Sequence, residues 1–428
     1  MNAKSIEANA GTMPNFFRIR QVFDRPCVAD VSLSTHAAVK ASGLVNRVSR
    51  GQSVAVTVGS RGISNIAEIT KSVVDAILAM RAIPFIVPAM GSHGGATAEG
   101  QRQVVHELGI TPESMGCEIR SSMNTVEVCQ AKEGFPVYID RHAFEADHVV
   151  VVNRVKPHTR FFGPVESGLM KMMLIGLGKH DGALVYHRVI QNYSFDKIVR
   201  SVAREVIGRC RIAAGIAVIE NGYEETARIV GIPASEIETV EPKLLEEVRH
   251  LLPRLPFDHA ELLIIDEIGK NFSGTGMDTN VIGRKRNDRA AIGDELPKIH
   301  HIYVRSLSDQ TLGNGSGIGI AEMCHDRVLS QIDLAKTRIN SITASHISAA
   351  AIPVSFSNDR QAIETAIGMG GWGEERNYPA MWIPNTLQLE EILCSEFYFR
   401  SAMQRSNLEI LSSPQPLQWS KGGDLQQA

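Results

Sequence analysis

Several things are scarce in this sequence, and each absence removes a class of function. The six cysteines (Cys27, Cys117, Cys129, Cys210, Cys324, Cys394) are scattered with no C-x-x-C pair. That excludes a zinc ribbon and a disulfide framework and reads as reduced, mostly buried thiols. Nowhere do 18 apolar residues run consecutively, so no membrane-spanning helix is expected. Met1 to Gly11 is polar and carries no apolar leader core, so a soluble, cytoplasmic chain is expected. Aromatic residues make up only 6%, net charge is −3, and no basic run is interleaved with aromatics, so neither nucleic acid nor a membrane is an expected partner. The G-x-x-x-x-G-K-[ST] phosphate loop is missing, and no G-x-G-x-x-G follows the first strand, which leaves ordinary ATP or NAD binding with little support. H-E-x-x-H and paired-carboxylate patterns are also missing, so an all-protein metal cage is not expected.

What is present is an α/β pattern long enough for two cores: 428 residues, 43% hydrophobic. Ser53 to Val58, Ile83 to Val87 and His148 to Val152 are continuous Val/Ile runs, as in parallel strands buried on both faces. Helical patterns alternate with them, the first with Ile66, Ile69, Val73, Val74, Ile77 and Leu78 at 3.6 spacing. The prolines of Leu251-Leu-Pro-Arg-Leu-Pro256 suggest a boundary before a new strand, Leu262 to Ile265. The expected fold is therefore α/β, two α/β domains with mainly parallel sheets and an active-site cleft between them. Residues 1–255 form the first domain in this reading and 256–400 the second, with a helix near Ala321 to Leu334. Residues 401–428 are expected as a C-terminal segment and frayed tail, packing back on the first domain.

The most informative stretch runs from Val155 to Arg188. Lys171 is the only charged residue between Ser167 and Gly178, among apolar residues and glycine. A poorly solvated ammonium loses its proton more readily and becomes a nucleophile, although a lysine snorkelling from an apolar helix fits the same pattern. Other polar candidates follow strand ends, where open α/β sheets bind ligands. They are Arg61 after the first strand, His93 in Gly91-Ser-His-Gly-Gly95 after the second, and Arg154, Lys156 and His158 after the third. Lys270 and Asn271 follow a strand in the second domain. A guanidinium suits a carboxylate, and imidazole suits proton transfer near neutral pH. Consecutive glycines before a helix can turn N–H groups toward an anion. His187 offers an ordinary imidazole metal ligand or, equally, a helix-surface histidine. The glycines of Gly313 to Gly319 fit a tight turn, and Asp278, Asn280 and Asn314 fit substrate hydroxyls or Asx turns.

Taken in order, Ser60-Arg61-Gly62, Pro88-Ala-Met-Gly-Ser-His-Gly-Gly95, Lys156-Pro-His158, Ser167-Gly168 with Lys171, and His187 resemble the nickel-dependent lactate racemase family and its homologues acting on other 2-hydroxy acids. The resemblance implies an isomerase, a racemase or epimerase of a 2-hydroxy acid. Its cofactor would be a nickel-pincer nucleotide, a pyridinium mononucleotide tethered to Lys171 through a thioamide, with His187 as nickel ligand. Ser167 and Gly168 would bind the nucleotide phosphate. His93 and His158 would be the acid/base pair, and Arg61 and Lys270 would hold the substrate. Cofactor-synthesis proteins would be transient partners. Gly62, Val58 and Leu169 depart from the family's pattern, which points away from lactate itself. Two other readings fit the same residues: a Schiff-base lysine enzyme acting on a 2-keto acid, and a non-catalytic sensor of an anionic metabolite.

Overall fold

A computed structural model describes residues 13–60, 62–369 and 378–426. The chain divides into two compact units, Asp24–Leu252 and a discontinuous unit of Met1–Phe23 with Pro253–Ala428.

Within Asp24–Leu252, a six-stranded sheet runs in the order Glu118–Ile119, Ile83–Pro88, Ser53–Val58, His148–Arg154, Ile212–Glu220, Thr226–Pro233. Its pairings are parallel except the last, where Ile212–Glu220 and Thr226–Pro233 are antiparallel. The unbroken valine runs belong to central strands with both faces covered. Val54, Val56, Val58, Val150 and Val152 pack into one core with the helix Ile66–Ala79. Ala55, Val149 and Val151 point the other way, into a core with the helix Phe195–Arg209. Each such fully buried valine contributes roughly 1.5–3 kcal/mol of burial. Ser194 starts the second helix by accepting from Lys197 N–H, and its apolar residues Ile198, Val199, Val202 and Val206 fall on one buried face. A separate hairpin pairs Thr125–Gln130 with Pro136–Asp140.

The other unit carries an eight-stranded sheet among the described residues. Its order is Val354–Phe356, Met323–His325, Lys298–Leu307, His259–Ile268, Ala380–Ile383, Glu391–Ser395, Phe16–Gln21, Leu408–Ile410. The first five strands are parallel and the last three join antiparallel.

Three expectations need correction. Residues 1–255 are not one domain: Phe16–Gln21 pairs with Glu391–Ser395 and Leu408–Ile410, burying Phe17 and Ile19 in the other unit's core. Nor is the segment after residue 400 frayed or folded onto the first domain. Gln415 bridges to Phe16, Asp424 binds His325 and Arg327 at 3.0 Å each, and Leu425 N–H donates to buried Asp359 at 2.8 Å. The helix placed at Ala321 to Leu334 is a short strand, Met323–His325, followed by helices Asp326–Gln331 and Leu334–Thr343. Asp333 ends the first helix's run by capping the second through Ala335 and Lys336 N–H. Among the described residues, no helix is long and apolar enough to cross a membrane.

Candidate active site

Ile83–Pro88, Ser53–Val58 and His148–Arg154 are adjacent and parallel, so the loops that follow them emerge at one end of the sheet. Ser60, His93 and His158 lie in those loops, and Ser60 Oγ touches His93 Nδ1. The segment carrying Lys171 is laid across the same end. Asn153 Nδ2 donates to Gly168 O at 2.8 Å, and a side chain at Gly59 would meet Met172 Cε at 3.3 Å. Gly91 N–H donates to Gly176 O at 3.2 Å, and a side chain at Gly176 would run into Met172 and the Ala89 carbonyl. Small residues are required at these positions because three backbones approach one another there.

Lys171 ends the short helix Leu169–Lys171 and is followed by one π-helical turn, Met172–Gly176. Such turns are uncommon and recur at functional sites. Its side chain is half-buried, and Nζ lies 5.5 Å from the centre of the Phe161 ring. His158 stacks on the opposite partner of that contact: ring centroids of His158 and Phe161 are 4.2 Å apart, and Phe161 stacks in turn on Phe195 at 4.0 Å. His187 occupies the last turn of the helix Lys179–Val189. Burial, and then the nearby Lys171 ammonium, hold His187 below the usual histidine pKa, which favours the neutral imidazole. Lys171 and His158 thus meet on Phe161, and His187 lies within electrostatic reach of Lys171.

The helix start proposed for a phosphate is already engaged. Glu241, fully buried, accepts from Met170 N–H at 2.9 Å and from Leu169 N–H, while burial pushes its carboxyl up to about 7. A side chain at Gly168 would collide with Glu241 Oε1. Gly168 is small for that carboxylate, and its neighbours' N–H groups donate inward.

The glycines of the His93 loop also serve the protein. Gly94 and Gly95 both take φ of +65°, and a side chain at Gly94 would meet Gln101 N at 2.6 Å. Gln101, itself buried, donates to Gly91 O at 2.8 Å and His93 O at 3.3 Å. Its own oxygen accepts from Lys179 Nζ at 2.9 Å. Lys179 is fully buried, reaches the Pro88 carbonyl and pairs with buried Asp140 at 3.3 Å. Burial lowers its pKa and Asp140 opposes that shift. This network fixes the turn bearing His93 to the helix bearing His187. Sequence reading missed it, because Lys179 is followed at once by His180 and Asp181 and looks like part of an ordinary polar helix start.

The remaining candidates fall elsewhere. Arg61 lies outside the described residues. Arg154 pairs with Glu220, whose other oxygen accepts from Ser64 N–H at 2.6 Å, so it ties strand ends together. Lys270 belongs to the other unit, where Nζ donates to Gly274 O at 2.8 Å. Asp278 and Asn314 accept from Asn280 and Ser316 N–H at 2.9 and 3.1 Å, as Asx turns do.

The carboxyl end of the parallel strands thus carries Ser60, His93 and His158 beside the Lys171 segment, the end at which open α/β sheets hold ligands. Residues 36–196 match the lactate racemase N-terminal domain. Among solved structures, the chain is similar to the lactate racemase apoprotein from Thermoanaerobacterium thermosaccharolyticum. The identity is 15%, over 81% of this chain and 89% of that chain, with a TM-score of 0.50, a likeness of fold. No curated protein matches the chain.

Proposed function

We propose that the chain is a racemase or epimerase of a 2-hydroxy acid that works with a lysine-tethered nickel-pincer nucleotide. The observation that carries this reading is that Lys171, beside a π-helical turn, lies within electrostatic reach of a largely buried His187 inside the segment matched to the lactate racemase N-terminal domain. An amine able to form a thioamide and an imidazole able to bind nickel are the two groups such a cofactor needs from the protein.

The residues present fit the group at those two points. At Ser167 and Gly168 only the serine is a candidate for the phosphate, because Leu169 and Met170 N–H are bonded to Glu241. When bound, the nucleotide supplies a hydride acceptor and donor for the substrate α-carbon. The chain supplies the rest. His93, against Ser60, can take and return a hydroxyl proton, since a serine hydroxyl both donates and accepts. His158 is the proposed second imidazole facing substrate, and Arg61 the proposed carboxylate partner. Phe161 and the buried methionines around Lys171 keep water from the amine.

Intact-protein mass and metal analysis of chain made together with the cofactor-synthesis proteins tests the reading. One covalent adduct and about one nickel per chain are expected, and both should vanish in Lys171→Ala. An unmodified chain in cells that load a lactate racemase overturns it. Borohydride trapping of a 2-keto acid on Lys171 would then identify a Schiff-base enzyme.

A further inference from the structure

The opposite, amino ends of the same strands carry a second concentration of charge, about 20 Å from the loops just described by the length of a six-residue strand. Arg81 stands ahead of Ile83–Pro88, Arg47 and Arg50 ahead of Ser53–Val58, Asp147 ahead of His148–Arg154, and Arg211 ahead of Ile212–Glu220. These four strands are neighbours in the sheet. Among the described residues, the side chains of Arg47, Arg50 and Arg81 make no hydrogen bond or ion pair. Arg81 and Arg211 share a further property. Each follows a helix C-cap, Met80 after Ile66–Ala79 and Cys210 after Phe195–Arg209, and each takes a left-handed φ, +59° and +52°. Glycine is the usual residue there, because a Cβ is crowded in that conformation. At both turns the chain accepts the crowding and places a guanidinium instead. A cation beside a helix C-terminus also complements the helix dipole, which accounts for Arg81 and Arg211 and leaves Arg47 and Arg50 without a reason.

Arg47 and Arg211 line one cleft of about 330 Å³ together with Asp147, His148, Ile212 and Ala213, a volume in the range of small-ligand sites. Ile212 and Ala213 are buried and give it an apolar floor. Arg211 is anchored by donating from Nη1 to Ala146 O at 3.1 Å. Asp147 is engaged by Ser53, whose N–H and Oγ donate to its Oδ2 at 2.8 Å each and hold its carboxyl below the usual range. His148 meets Gln52 Oε1 through Nε2 at 3.0 Å. Burial lowers the His148 pKa, Asp147 opposes the shift, and the Arg211 and Arg47 charges add to it, so both guanidiniums act on the same spot. The cleft thus sets two arginines against one carboxylate in a chain whose net charge is −3.

We propose that this cleft binds a small phosphate-bearing anion, held between Arg47 and Arg211 above the Ile212–Ala213 floor. The forked donors of a guanidinium match the oxygens of a phosphate, and arginine is the residue that most often recognises one. The site lies at the far end of the sheet from Lys171 and does not depend on the racemase reading.

Isothermal titration calorimetry of the full chain with inorganic phosphate and, separately, with glycerol 3-phosphate tests the proposal. One saturable site per chain is expected. Tighter binding of the ester identifies an organic phosphate as the occupant, and binding of inorganic phosphate at least as tight identifies the free ion. Arg47→Gln should weaken the binding about tenfold or more, the usual scale for losing hydrogen bonds to a charged group. Arg211→Gly removes the guanidinium and relieves the left-handed turn, so affinity should fall by a similar factor while Tm holds or rises. A residue kept only to complement the helix dipole would do the reverse, losing Tm in Arg211→Gly and leaving phosphate affinity untouched. If that variant fails to fold, Arg47→Gln, on an exposed loop, decides alone. Absence of saturable binding for both anions, or affinity retained in Arg47→Gln, overturns the site. So does an equal loss in Arg400→Gln, an exposed arginine of the other unit, since general charge would then explain the binding.

Discussion

Lys179 and Gln101 meet at 2.9 Å with both side chains buried, and through Gln101 that contact reaches the carbonyl of His93. A buried ammonium is costly unless paired, and here Asp140, the Pro88 carbonyl and Gln101 share it.

Removing that ammonium leaves Asp140 charged in the core. Lys179→Met is expected to lose about 3–5 kcal/mol in urea unfolding followed by circular dichroism. Adding Asp140→Asn should restore part of the loss, because the carboxylate no longer lacks its partner. A single mutant as stable as the parent would mean the pair is not buried as described.

Glu241 links stability to pH. Its carboxyl is raised from 4.5 to about 7 by burial, so the folded state holds the proton more tightly than the unfolded chain. The stabilising contribution is therefore full below about pH 4.5 and is lost as pH rises through 7, up to about 3 kcal/mol. Glu241→Gln should flatten stability between pH 5 and 8 and be the more stable protein at pH 8. A parallel pH curve for both proteins would contradict this assignment.

His187 reports on Lys171 without any cofactor. Burial lowers its pKa and the Lys171 charge lowers it further. Lys171→Gln removes the second cause, so NMR titration should find His187 higher than in the parent and closer to the usual 6.5. An unshifted His187 would separate the two residues and weaken the case for a shared site.

The tail is part of the second unit's structure. Asp359, fully buried, accepts from Arg305 at 2.8 Å, Tyr303 at 2.7 Å and Leu425 N–H. Ending the chain at residue 411 removes Asp424 from His325 and Arg327 and uncovers this cluster. Thermal unfolding should drop by several degrees, about 1–3 kcal/mol. An unchanged Tm would mean that the ion pairs of Asp424 contribute nothing measurable.

The first α/β unit was legible because central parallel strands need apolar side chains on both faces, and Ser53–Val58 and His148–Arg154 carry that composition openly. Lys171 stood out for a related reason, a single charge in an apolar stretch. Glu241 and Gln101 did not, because Met170 and Lys179, which they bind, lie more than 70 positions away and each looks, in sequence, like an ordinary polar residue on a helical repeat. The discontinuous unit was hidden for another reason. Phe16–Gln21 is a short strand whose partners lie more than 370 positions away, and pairing at that separation leaves no local pattern. The tail was misread from its prolines, glycines and glutamines, since composition does not reveal that Arg305, Asp359 and His325 wait for it.

That first strand has a consequence for biosynthesis. It is synthesised more than 370 residues ahead of Glu391–Ser395 and Leu408–Ile410, which flank it. At about 5–20 residues per second, the nascent polypeptide carries Phe17 and Ile19 without their partners for roughly 20–70 s while Asp24–Leu252 can already collapse behind them. Vectorial synthesis thus leaves an orphaned hydrophobic strand, a natural client for a holdase, and yield in the cell will depend on how well that strand is shielded until its two partners emerge.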